Sequence, residues 1–105
     1  MKKIWLTVLL LLFITPAFAA DIVIEWDANT ETNIAYYNVY YGTDHGVYNA
    51  PVDVGNVLSY TIAGLNAGTY YITVTAVDTG DNESEHSYEV VKKLKVGMVK
   101  GIALP

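Results

Sequence analysis

The stretch from Leu65 to Asp78 limits the fold more than any other part of the chain. It reads Leu-Asn-Ala-Gly-Thr-Tyr-Tyr-Ile-Thr-Val-Thr-Ala-Val-Asp. A turn at Asn66-Ala67-Gly68 opens it, with glycine free to take a positive φ at no steric cost. In the extended chain that follows, Tyr70, Ile72, Val74 and Ala76 share one face, and Tyr71, Thr73, Thr75 and Val77 the other. β-Branched and aromatic residues fill it and no proline interrupts it, so the segment predicts a central strand rather than an edge.

The rest of the chain supplies partners for that strand. Ile22, Ile24 and Trp26 alternate with Val23 and Glu25, which is strand periodicity, and a polar loop runs from Asp27 to Ala35. Tyr36 to Gly42 forms a second strand, with Tyr37, Val39 and Tyr41 toward the core and Tyr36, Asn38 and Tyr40 outside. A turn cluster at Thr43-Asp44-His45-Gly46 leads into a loop through Pro51 to Asn56 with room for a short edge strand. Ser59 to Leu65 is a strand with Tyr60 and Ile62 inward. A long acidic turn, Thr79 to Glu85, precedes a last strand from Ser87 to Val96. No segment combines helical periodicity with caps. Short strands with regular turn signals make an all-β sandwich.

At 105 residues the chain holds one domain at most. Residues 1–19 read as a secretory signal peptide: Lys2 and Lys3, an apolar run from Ile4 to Ile14, and a small-x-small site at Ala17-Phe18-Ala19. The run is shorter than the ~20 apolar residues that span a bilayer. Cleavage is expected after Ala19, with Ala20 as the alternative, and places the protein in a periplasm, at a cell surface or outside the cell. Residues 20–96 then form the domain and 97–105 a C-terminal tail. With no cysteine, the mature chain is held by its core alone.

Charge narrows the partners. All eleven carboxylates lie between Ala20 and Val91, a span with no lysine, and the chain has no arginine. Four lysines follow (Lys92, Lys93, Lys95 and Lys100), which leaves the mature chain at −7. Nucleic acid is not an expected partner, because phosphate contacts need lysine or arginine along the binding face. Solubility by self-repulsion accounts for the acidic body.

Trp26 at the end of an early strand, Tyr37-x-Val39-x-Tyr41-Gly42, Tyr60-Thr61-Ile62-Ala63-Gly64-Leu65 and Tyr70-Tyr71-Ile72-x-Val74-x-Ala76-Val77-Asp78 together resemble a fibronectin type III domain. They match its strands B, C, E and F, with Ser87 to Val91 similar to the start of strand G. The Trp26 to Glu31 and Asp78 to Ser84 runs resemble its bacterial, exported versions. The resemblance spans about residues 21 to 92. It implies an immunoglobulin-like β-sandwich with a core that includes Trp26, Tyr37, Val39, Leu65, Tyr70, Ile72 and Val74. It also implies that Tyr70 is the corner tyrosine whose hydroxyl bonds nearby backbone. The turn before that corner is one residue short, which makes Tyr71 a rival; alternation favours Tyr70. Strand A is short or missing, so the first sheet is expected to have an unpaired edge. The apolar, basic segment 92–105 has strand alternation at Leu94, Val96 and Met98. It could fill that place in its own domain, or in a neighbour as a route to self-association.

Strands C and F are neighbours in such a fold, which implies that Tyr36, Tyr40 and Tyr71 share an exposed face able to contact a protein or polysaccharide. The competing reading is plain cross-strand packing. Asp78, Asp81 and Glu83, with Glu85, are candidate ligands for a hard cation, although their spacing matches no EF-hand and a solvated turn is the favoured reading. Asp27, Asn29 and Glu31 are weighed the same way. His45 and His86 are the only histidines, and no nucleophile elbow, phosphate loop or zinc spacing occurs. No catalytic residue and no cofactor is expected. The chain reads as a non-catalytic exported module for protein binding. The alternatives are carbohydrate binding through the tyrosine face or a subunit that assembles through its C-terminal strand.

Overall fold

The computed structural model describes residues 19–95. The expected signal peptide, apart from Ala19, and the expected tail at 97–105 lie outside the described residues, as does the part of segment 92–105 beyond Lys95. Six strands follow one another: β1 (Ala20–Glu25), β2 (Ile34–Gly42), β3 (Val52–Gly55), β4 (Ser59–Leu65), β5 (Gly68–Asp78) and β6 (Val90–Leu94). They form two antiparallel sheets, β1-β4 and β3-β2-β5-β6. The fold is an all-β sandwich, with β5 the longest strand and internal to the larger sheet.

The core lies between the sheets because alternation sends one face of each strand inward. Ile22 from β1, Ile62 from β4, Val39 from β2 and Tyr70 and Ile72 from β5 form its buried centre. Trp26, Leu65, Val74 and Leu94 pack around it, half-buried, as do Ile24, Tyr41, Val54 and Tyr60. Tyr37 is buried with its ring 5.6 Å from that of Trp26, and its hydroxyl accepts the Asn29 backbone N–H at 3.0 Å. Tyr70 buries its ring in the core and its hydroxyl donates to the Asn66 carbonyl at 2.8 Å, which ties β5 to the two-residue turn before it. A Tyr70→Phe variant keeps the ring and loses only that bond. It should unfold about 1 kcal/mol more easily in urea with an unchanged m value.

The last strand differs from expectation. It begins at Val90, not Ser87, and runs to Leu94; Val96, the expected end, lies outside the described residues. Serine hydroxyls explain the late start. Ser84 and Ser87 donate their backbone N–H groups to the Ala76 and Val74 carbonyls, at 2.8 and 3.0 Å. In return the Ala76 and Val74 amides donate to the serine Oγ atoms, at 2.9 and 3.0 Å. Side chains thus replace backbone acceptors along this half of β5, and the chain from Ser84 to Glu89 follows the strand without being one.

Candidate binding face

The outward face of the larger sheet is built from β2 and β5. Their register sets Tyr36 beside Val77, Asn38 beside Thr75, Tyr40 beside Thr73 and Gly42 beside Tyr71. Successive rows lie ~7 Å apart along the strands, so Tyr36 and Tyr71 are separated by ~20 Å. The three tyrosines share a face but not a patch: Tyr40 is one row from Tyr71 and two from Tyr36. Nor is the face open, as expected from sequence. All three are half-buried, Asn38 is buried, and Thr73 and Thr75 are each 1% exposed. The β5–β6 connection, residues 79–89, lies across it as a strap.

The strap is shaped at its start by Asp78. One carboxylate oxygen accepts the Gly80 and Asn82 backbone N–H groups at 2.8 and 2.9 Å, and Asp81 takes a φ of 66° at the bend. Those bonds, that of the Asn82 backbone first, hold the Asp78 carboxyl below the ordinary range. Glu83 then turns back onto the sheet. Its Oε2 accepts from Thr75 Oγ1 at 2.6 Å, from the Tyr40 hydroxyl, and from Asn38 Nδ2 at 3.5 Å. Further along, His86 lies against Tyr40 (ring centroids 4.5 Å apart) and stacks on Tyr48 at 5.8 Å, while its Nδ1 is 3.3 Å from Thr73 Oγ1. Glu89 closes the strap by accepting from the Tyr48 hydroxyl, the Gly46 backbone N–H and His45 Nδ1. The His45 ring in turn meets the edge of Tyr71 at 6.1 Å.

The candidate cation ligands Asp78, Asp81 and Glu83 lie along a turn whose residues 79–88 are exposed. Asp78 serves its own turn, Asp81 sits at the bend and Glu83 faces the sheet; among the described residues no three His, Asp or Glu side chains converge on a common point. Asn29 Nδ2 donates to Glu31 within its own loop at 2.7 Å. The face carries a cluster of Tyr40, Tyr48, Tyr71, His45 and His86, with two carboxylates that accept from hydroxyl, amide and imidazole donors. Glu83, Glu89 and Tyr48 carry no sequence signal for this role, since loop residues have no periodicity that aims them at a sheet.

Both glutamates are held below the ordinary value of 4.5, Glu83 chiefly by the Thr75 hydroxyl and Glu89 chiefly by that of Tyr48. Each therefore loses its proton more readily folded than unfolded. Their stabilisation of the strap is complete above pH 4.5 and disappears as pH falls through the lower folded values. Amide exchange, corrected for intrinsic rates, should show residues 79–89 losing protection in that acid range while β2 and β5 keep theirs. Glu83→Gln should flatten the dependence around Thr75.

No family model and no curated protein matches the chain. Among solved structures it is similar to part of a β-1,2-glucanase from Parabacteroides distasonis, with 30% identity and a TM-score of 0.65. The match takes in 79% of this chain and 12% of the glucanase.

Proposed function

We propose that the chain is an exported fibronectin type III-like module that binds a partner and performs no catalysis. The observation that carries the fold type is the strand arrangement, β1-β4 against β3-β2-β5-β6. It corresponds to strands B and E facing C′, C, F and G, with strand A absent from the described residues. The Tyr70 hydroxyl on the Asn66 carbonyl, at the corner before the penultimate strand, supports the same reading.

The electrostatics of the strap support a binding role over a hydrolytic one. A glycoside hydrolase needs one carboxylic acid kept protonated, with its pKa raised by burial or by a like charge. Asp78 and Glu83, which line one cleft with Glu31, are both shifted downward by the donors around them. Neither is suited to give a proton to a leaving group at neutral pH.

A glycan is the second reading, and the likeness to a segment of a β-1,2-glucanase favours it. Tyr71 on the face and Tyr88, 98% exposed on the strap, offer rings that a sugar could stack on. The test is electrophoresis in gels with and without β-1,2-glucan, alongside an assay for reducing ends. Release of sugar overturns the non-catalytic reading. Retardation that Tyr71→Ala and Tyr88→Ala abolish, with unfolding curves unchanged, selects the glycan. Migration unaffected by glucan leaves a protein as the partner.

A further inference from the structure

Among the described residues the smaller sheet has only two strands. β4 pairs with one edge of β1, and among the described residues nothing pairs with the other. The consequences are visible across the sandwich. Val90 is in register with the buried Ile72, so its side chain is on the core-facing side, yet it is 54% exposed. Next to it, Trp26, Tyr37, Val74, Ala76 and Ser87 line a cleft of about 340 Å³ open to solvent. Trp26 Nε1 is a buried donor with no acceptor among the described residues. A backbone edge and a buried donor without partners among the described residues, and an exposed Val90 on the core side, are together what a missing strand leaves behind.

We propose that residues 96–105 of this same chain are that strand, lying along the free edge of β1 and covering Val90 and the cleft. Topology brings the segment to the right place. Leu94 is in register with Gly68, and Ala20 with Leu65, which only the two turn residues Asn66 and Ala67 separate from Gly68. The chain therefore leaves β6 at the end of the sandwich where β1 begins. A segment returning from that point runs in the same direction as β1 and pairs with it in parallel. The reach suffices: ten extended residues span ~33 Å, against ~10 Å to cross between sheets and ~20 Å along the six residues of β1.

Chemistry agrees with topology. Val96, Met98, Val99, Ile102, Ala103 and Leu104 supply apolar cover, and Gly97 permits the bend out of β6. Lys100 approaches a strand that carries Asp21 and Glu25, in a body whose every carboxylate lies before Val91. Backbone groups of the segment would hydrogen-bond those of β1, and one of its carbonyls can take the Trp26 Nε1 proton. The inference does not depend on what the tyrosine face binds.

Disulfide trapping tests it in the full chain, which has no cysteine of its own. Val23→Cys is combined with Lys100→Cys in one variant and with Ile102→Cys in another, and each is oxidised at micromolar concentration. The expected result is an intramolecular disulfide in a monomer in at least one of the two, identified by peptide mapping. No cross-link, or cross-links only between molecules, overturns the proposal, the latter because it assigns the strand to a second copy. As a second measurement, Ile102→Pro removes a backbone donor without shortening the chain. Amides of residues 20–26 should then exchange at least ~10-fold faster, about 1.4 kcal/mol of lost protection. Unchanged exchange overturns the proposal as well.

Discussion

An Ile72→Ala variant is expected to lose about 2–5 kcal/mol of stability, the range for removing a buried isoleucine side chain down to its β-carbon. Ile72 is 1% exposed at the centre of β5 and belongs to the cluster that joins the two sheets. The neighbours that would have to close the cavity are themselves fixed. Val39 is fully buried on β2, Ile62 is held on β4, and Tyr70 is anchored at its hydroxyl. Small domains have total stabilities near ~5 kcal/mol at the low end, so the loss consumes much of what there is. For a domain of this length each kcal/mol lowers Tm by about 4–8 °C, so the midpoint should fall by at least ~8 °C. Calorimetry checks this, with Val91→Ala as the control. Val91 is also on a strand but more than half exposed, and its loss should stay within about 0.5 kcal/mol. Equal effects from the two changes would mean that the core does not centre on Ile72.

Alternation made that core legible in the sequence. A period of two over eleven residues leaves one choice of inward face for β5, and the residues of β2 and β4 then follow by matching their own apolar faces. Tyr70 rather than Tyr71 as the buried corner is a direct product of this parity, since Tyr71 inward would have taken Thr73 and Thr75 into the core with it. The same logic misjudged the other face. Thr73 and Thr75 belong to the outer face, as alternation predicts, yet they are buried, because a strap with no periodicity of its own folds over them. Ser84 and Ser87 show why the strap was invisible. Their hydroxyls take the place of backbone acceptors, so Ser84 to Glu89, which reads as the end of a turn and the start of a strand, is neither. Contacts set by side chains at irregular spacing, such as Glu83 on Thr75 or Glu89 on Tyr48, become readable only once the strands have fixed where the loop must pass.

Gly42→Ala should disturb fold and face together. Gly42 is the last residue of β2, and a β-carbon there would lie 2.3 Å from the Val47 carbonyl oxygen and 3.2 Å from Tyr48 Cα. Both are backbone atoms, so no rotamer change can relieve the clash, and the loop from Thr43 to Asn49 has to move. That loop is held against β2 by the Asn49 N–H on the Tyr41 carbonyl at 2.8 Å, and it presents Tyr48 to Glu89. The direct cost is about 1–3 kcal/mol of overpacking. The specific signature is in the phenol. The hydrogen bond to Glu89, aided by burial and by the carboxylate charge, pushes the Tyr48 hydroxyl from 10 up to about 12. A raised folded value means that this interaction is intact below pH 10 and is lost as pH climbs toward 12. Phenolate absorbance should therefore show Tyr48 late in the parent chain, beside Tyr40, which its hydrogen bond to Glu83 also raises; the Tyr48 step alone moves back toward the ordinary range in Gly42→Ala and in Glu89→Gln. Gly80→Ala is the comparison that isolates the cause. Its β-carbon would meet only the Asn82 and Asp78 side chains, at 3.2 and 3.4 Å, which can shift aside, and it should leave the Tyr48 titration in place. An unchanged Tyr48 step in Gly42→Ala would mean that the 43–49 loop is not seated on β2 as described, and that the Tyr48–Glu89 link does not depend on it.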